Sequence, residues 1–193
     1  MTTLSTTTPL DSVLEKSTTK VDWDNLQDQN IPIVMGSQFI NRPKATTFDF
    51  NVHDAKTAVT LSNKLVWEVY QRHLLGVAAP YFGIDYRVIA ISGLSHAMFN
   101  PIVVGYGEEK EYDEICPAFP VGSFPVTRKT IVDVKYIDPL GKFTKATYNG
   151  LTARTILQMI EVLNGGCVLD HLSTFKRGKA LAKVAKLNKT KVK

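Results

Sequence analysis

The stretch from Lys129 to Asn164 constrains the fold more than any other. Apolar residues alternate through Ile131, Val132-Asp-Val134 and Tyr136, and an Asp138-Pro-Leu-Gly141 turn then sends the chain back toward Asn149-Gly150. A period of two marks strands with one covered face. The pattern then changes abruptly. Ile156, Ile160 and Leu163 recur at helical spacing, and Asn164-Gly165-Gly166 supplies a stop. A hairpin that feeds a helix without a linker places that helix against the sheet, which predicts an α+β domain.

The rest of the chain agrees. Ala58, Leu61, Leu65 and Val69 predict a helix over about 54–74 with Asp54 as its N-cap. Tyr86 to Gly93, "YRVIAISG", predicts a buried strand, and Asn100 to Val104 another. Ile31 to Gly36 reads as a short strand and turn, and the polar run Gly105 to Glu114 as a hairpin or loop. Residues 1–30 are polar and Thr-rich and read as an N-terminal arm, residues 31–177 as the globular domain, and 178–193 as a basic C-terminal tail.

Charge is unevenly placed. The net +5 includes eight Lys or Arg residues within 176–193 and no acid there; removing those eight of 23 leaves 15 basic against 18 acidic residues. A mildly acidic body thus carries a cationic tail. Lys183, Lys186, Lys189 and Lys191 are the candidate binding residues, and an acidic protein surface or RNA or DNA phosphate is the partner chemistry. A solvated terminal helix resting a few apolar residues on the body remains the plainer alternative. No apolar run approaches the roughly 18 residues of a membrane span, so no membrane partner is expected. The start lacks the pattern of a secretory signal, and two cysteines make no disulfide framework. A virion or host-cytoplasm location is the expectation.

Three short motifs carry the chemistry. Gly76-Val-Ala-Ala-Pro-Tyr81, Glu114-Ile-Cys-Pro-Ala118 and Leu157-Gln-Met-Ile-Glu-Val162 are each weak alone. In this order, with "NGLTAR" before the last and "LNGGCVLDHLS" after it, they resemble the peptide deformylase family over about residues 31–177. That family shows GxGLAAxQ, EGCLS and QHExDH in the same order. The resemblance implies mostly antiparallel sheets around a central helix carrying the HExxH position. It also implies a metalloenzyme that removes formyl groups from nascent protein N-termini. Its metal is held by one Cys and two His, with the intervening Glu as general base.

At the matching positions this chain carries Tyr81 for the Gln, Cys116 for the Cys, and Gln158, Met159 and Val162 for His, Glu and His. Val offers no lone pair, an amide is a poor substitute for imidazole, and Met moves no proton. Ile115 stands for the Gly before the Cys, and Pro117, which has no N–H to offer an oxyanion, for the Leu after it. Neither a metal nor another cofactor is therefore expected. The four histidines His53, His73, His96 and His171 read as isolated, with His171 on a strand after the helix, and Glu161 reads as solvent-facing.

These changes predict a protein that is not an enzyme. The expected role is a deformylase-like scaffold whose arms bind other subunits of a large assembly, such as a phage tail or baseplate. Two alternatives stand beside it. One is a ribosome- or nucleic-acid-binding module working through the tail. The other is a divergent hydrolase built on Cys116, Tyr81 and Glu114, for which no His supplies a base within the motifs.

Overall fold

The computed structural model describes residues 22, 23, 25–40 and 42–191; the side chains at 105, 106 and 188–191 lie outside that description. Most of the N-terminal arm is therefore outside it, as are the side chains of Lys189 and Lys191.

Helix α1 (Ala55–Gln71) starts where Asp54 accepts a hydrogen bond from the Thr57 N–H at 2.7 Å. It buries Ala58, Leu61, Leu65 and Val69, the predicted stripe, together with Lys64 and Glu68. Five strands follow: β1 (Gly76–Ala78), β2 (Val88–Ile91), β3 (Met98–Ile115), β4 (Ser123–Ile137) and β5 (Phe143–Asn149). They form one antiparallel sheet in simple chain order, leaving β1 and β5 as its edges. Helix α2 (Gly150–Leu163) begins directly after β5 and packs against β4, β1 and β2. The expected α+β architecture, an antiparallel sheet around a central helix, is what forms.

Close approach of α2 to the edge strand explains Gly76. A Cβ there would lie 2.7 Å from the Thr155 methyl and 3.0 Å from the Ala90 carbonyl, so only glycine lets helix and sheet meet. Asn100 has a different local task. Its backbone is left-handed (φ 50°), and its side chain bonds both the N–H and the carbonyl of Phe48 at 2.9 Å. That double bond pins the loop before α1 to the sheet.

Four local expectations are corrected. The polar run at 105–114 is no loop but the outer half of β3, paired in register with β4 from Glu109↔Lys129 to Glu114↔Phe124. Cross-strand ion pairs such as Glu109–Lys129 at 3.0 Å support a strand solvated on both faces, where polar residues are no obstacle. Residues 31–35 stay extended without joining the sheet; the Val34 N–H donates to the Tyr81 carbonyl at 2.8 Å, and a 3-10 turn at Gly36–Phe39 follows. Ile160 is only partly buried, because α2 turns Gln158, Met159 and Val162 inward instead. His171 sits in a 3-10 turn (Val168–His171), not on a strand.

Both flanks engage the body where they are described. Trp23 packs beside His53 and Tyr86, and the buried Lys64 ammonium donates to the carbonyls of Gln27 and Gln29. Helix α3 (Thr174–Lys191) runs through the expected 177/178 boundary and seats Ala180 and Val184 on the body. Its lysines at 176, 179, 183 and 186 face outward.

Candidate functional site: a cleft between β1, β3 and α2

The three motifs converge. Tyr81 sits in the 3-10 turn (Ala79–Phe82) that leaves β1, Cys116 follows the last residue of β3, and α2 brings Gln158, Met159 and Val162. The Tyr81 hydroxyl lies 3.5 Å from the Cys116 sulfur, and the Gln158 amide donates to the Ile115 carbonyl at 2.9 Å. Tyr81, Cys116, Met159 and Val162 are all buried. Phe39 stacks on Tyr81 at 4.9 Å and meets Phe119 edge-on at 6.0 Å, closing the rear of this group. Arg42 lies over Phe39 at 3.7 Å and donates to the carbonyls of Val162 and Gly166, so it also caps the end of α2.

This interior favours neutral groups. Burial pushes the Cys116 thiol up from its ordinary value, against hydrogen bonds from Tyr81 and the backbone that act in the other direction. Burial, helped by Cys116, holds the Tyr81 hydroxyl well above the phenol range. Cys167 is pushed up to about 11, again chiefly by burial. Unfolded thiols ionise near about 8.5, so the folded chain keeps protons that the unfolded chain releases. For Cys167 the stabilisation is therefore complete below about pH 8.5 and lost as pH rises through about 11, and the raised Cys116 thiol acts in the same direction. Urea midpoints measured at pH 8 and pH 10.5 are expected to fall over that interval. An unchanged midpoint would count against buried neutral thiols.

A metal held by one Cys and two His does not fit the residues here. Cys116, Gln158 and Val162 occupy those positions, and among the described residues no group of three His, Cys, Asp or Glu gathers around a common point. The Cys116, Tyr81 and Glu114 combination is only half assembled, since Cys116 meets Tyr81 while the Glu114 carboxylate faces two arginines.

In front of this interior opens a mostly apolar cleft of about 490 Å³. One wall is the turn after α1 and the start of edge strand β1, from His73 to Gly76. The opposite wall is Tyr112 to Ile115 on β3, and Leu151, Arg154 and Gln158 of α2 line it as well. Of the five positions singled out by the motifs, only Gln158 reaches it. Leu75, Tyr112, Ile115 and Leu151 stand exposed around its mouth.

Beneath the cleft lies a charge network that motif reading missed. Arg128 grips Glu114 through Nε at 2.8 Å and Nη2 at 3.0 Å, and its Nη2 also donates to Glu161 at 2.7 Å. Arg154 adds a bond to Glu114 at 2.8 Å and two to the carbonyls of Lys110 and Val126. His171 meets the other Glu161 oxygen at 2.7 Å. Glu161 is thus not solvent-facing and His171 not isolated: Glu161 bridges Arg128 on one side and His171, in the turn after α2, on the other. The available signal was an Arg inside the otherwise apolar "ARTILQM" and a Glu just ahead of Cys116, charges that need partners once buried.

Similarity to known proteins fits this frame. A "Peptide deformylase" from Synechococcus is 32% identical over 121 residues, covering 58% of this chain and 60% of that protein. A "Peptide deformylase" from Mesorhizobium japonicum is 30% identical over 139 residues, covering 68% of this chain and 79% of its own length. The crystal structure of a peptide deformylase from Legionella pneumophila superposes with a TM-score of 0.72 at 26% identity, covering 83% of this chain and 96% of that one. These are names of enzymes, and they overturn the expectation that this chain is not one. The physical lesson is that unusual residues at one helical spacing report on that spacing alone, and say nothing of groups a fold gathers elsewhere. The family model "Polypeptide deformylase" matches residues 32–178, and the chain belongs to the polypeptide deformylase family.

Proposed function

We propose that the chain takes the N-terminal end of a polypeptide into the cleft; its relatives' names denote action on a peptide. The observation that carries this is the pairing of an edge strand with an apolar hollow. β1 is the first strand of the sheet, and Leu75 and Gly76 line the cleft beside it. An extended peptide can add to such an edge by main-chain bonds while its side chains enter the hollow. In the Arg128–Glu114–Arg154 set each charge faces one of opposite sign, which suits a hollow that takes apolar side chains.

The test is calorimetric titration with Met-Ala-Ser, with and without an N-formyl group, alongside mass detection of released formate. Saturable binding is expected, and Leu151→Arg, at an exposed rim position, is expected to abolish it. No binding of either peptide at millimolar concentration would overturn the reading.

A second reading concerns partners, and helix α3 favours it. Ala180 and Val184 anchor the helix while Lys176, Lys179 and Lys183 point outward with no acid beyond Asp170. We propose that this face docks the chain on an acidic surface of a neighbouring subunit, in an assembly of the phage tail or baseplate kind. RNA or DNA phosphate is the competing ligand. Replacing Lys183 and Lys186 with Gln is expected to weaken capture of native partners and flatten its salt dependence. Capture that is indifferent to both the replacement and the salt would sink it.

A further inference from the structure

Helix α1 ends in two aromatic side chains that stand exposed. Trp67 is 46% and Tyr70 73% exposed, three residues apart and so on one face of the helix. The helix then stops abruptly. His73 takes a left-handed backbone (φ 51°), its N–H donates to the Tyr70 carbonyl at 3.2 Å, and the Leu74 N–H donates to Val69 at 3.0 Å. That tight reversal sets Tyr70 one turn from His73, Leu74 and Leu75, which form a wall of the cleft.

Charged groups on this flank are already committed. Lys64 pairs with Glu68 at 3.1 Å, and Arg72 bonds Glu68 at 2.5 Å and the Ile31 carbonyl at 3.0 Å. What faces outward is aromatic surface, with the Lys64 ammonium 4.6 Å from the Trp67 ring on its inner side. Exposed Trp and Tyr beside a hollow are the residue types that anchor interfaces.

We infer that Trp67 and Tyr70 extend the cleft into a second docking surface for an apolar segment of the same polypeptide whose end the cleft holds. This rests on the cleft reading above. Its physical basis is continuity: Leu75 at the cleft mouth and Tyr70 on the last helical turn are joined by a pinned four-residue reversal. An extended peptide advances about 3.3 Å per residue, so residues that follow the end held in the cleft can run past Leu75 toward the last turn of α1. Residues from about the fourth to the eighth would lie on the aromatic pair, and aliphatic side chains suit it best.

The experiment compares Met-initiated peptides of three and of eight residues. The longer peptide carries either Leu and Val or only Ser at its last five positions. Trp23 and Trp67 are the two tryptophans, so a full chain with Trp23→Phe reports on Trp67 by fluorescence. The aliphatic octapeptide is expected to bind about tenfold tighter than the tripeptide and to shift the Trp67 emission. Trp67→Ser with Tyr70→Ser, both exposed positions, is expected to remove that gain and leave tripeptide affinity intact, as calorimetry reads it. Equal affinity of the two lengths, with the tripeptide bound, overturns this inference and spares the cleft reading. If the tripeptide does not bind but the octapeptide still shifts Trp67 in a Tyr70-dependent way, the cleft reading falls, and the inference that extends it falls with it. An emission shift caused by deleting residues 1–21, or by dilution alone, assigns the surface to the chain's own N-terminal segment or to a second copy and overturns the inference.

Discussion

Replacing Glu114 by Leu is expected to cost about 3–5 kcal/mol, because it strands the Arg128 and Arg154 guanidinium groups at sites from which water is excluded. The carboxylate accepts from both arginines, and each of the three side chains is less than a tenth exposed. Glu114→Gln keeps the shape and loses the charge, so its cost is expected to be smaller. Adding Arg154→Met to Glu114→Leu removes one stranded charge and is expected to recover part of the loss, since an apolar replacement of a whole buried ion pair is often neutral. Equilibrium urea unfolding of the three variants measures this. A loss below about 1 kcal/mol for Glu114→Leu would mean that water reaches the network.

Phe39→Ala is expected to cost about 3–5 kcal/mol, the range for deleting a fully buried aromatic ring. The ring supports Tyr81 by stacking, Phe119 by an edge contact and Arg42 by its face, and α3 packs on the turn that holds it. Its loss therefore reaches past its own volume. The capping of α2 by Arg42 and the seating of α3 are expected to loosen together. Hydrogen exchange at the C-terminal turn of α2 and along α3 should accelerate in the variant. Acceleration confined to residues 36–42 would show that the ring supports only its own turn.

Much of the architecture could be read from residue order. The period-two run at 131–136, the Asp138–Gly141 turn and the switch to helical spacing after Asn149 became β4, β5 and α2 with no intervening linker. The stripe on α1 and its Asp54 cap also appeared as predicted. These features are legible because they depend on neighbours within one or two turns of chain. The outer half of β3 was not, because its polar residues are stabilised by partners on β4, paired from Glu109↔Lys129 to Glu114↔Phe124, well beyond the next turn of chain.

The site divides in the same way. Sequence by itself determined the family, the order of three motifs and the identity of the side chains at 81, 116, 158, 159 and 162. Tertiary structure decided that four of those five lie behind the cleft and only Gln158 reaches it. It decided too that Glu161, read from sequence as solvent-facing, bridges Arg128 and His171, bringing together β4, α2 and the turn that follows. A buried charge can be recognised from residue type alone, but its partner is set by which strands and helices the packing brings within hydrogen-bond distance, and that information lies in no single stretch of chain.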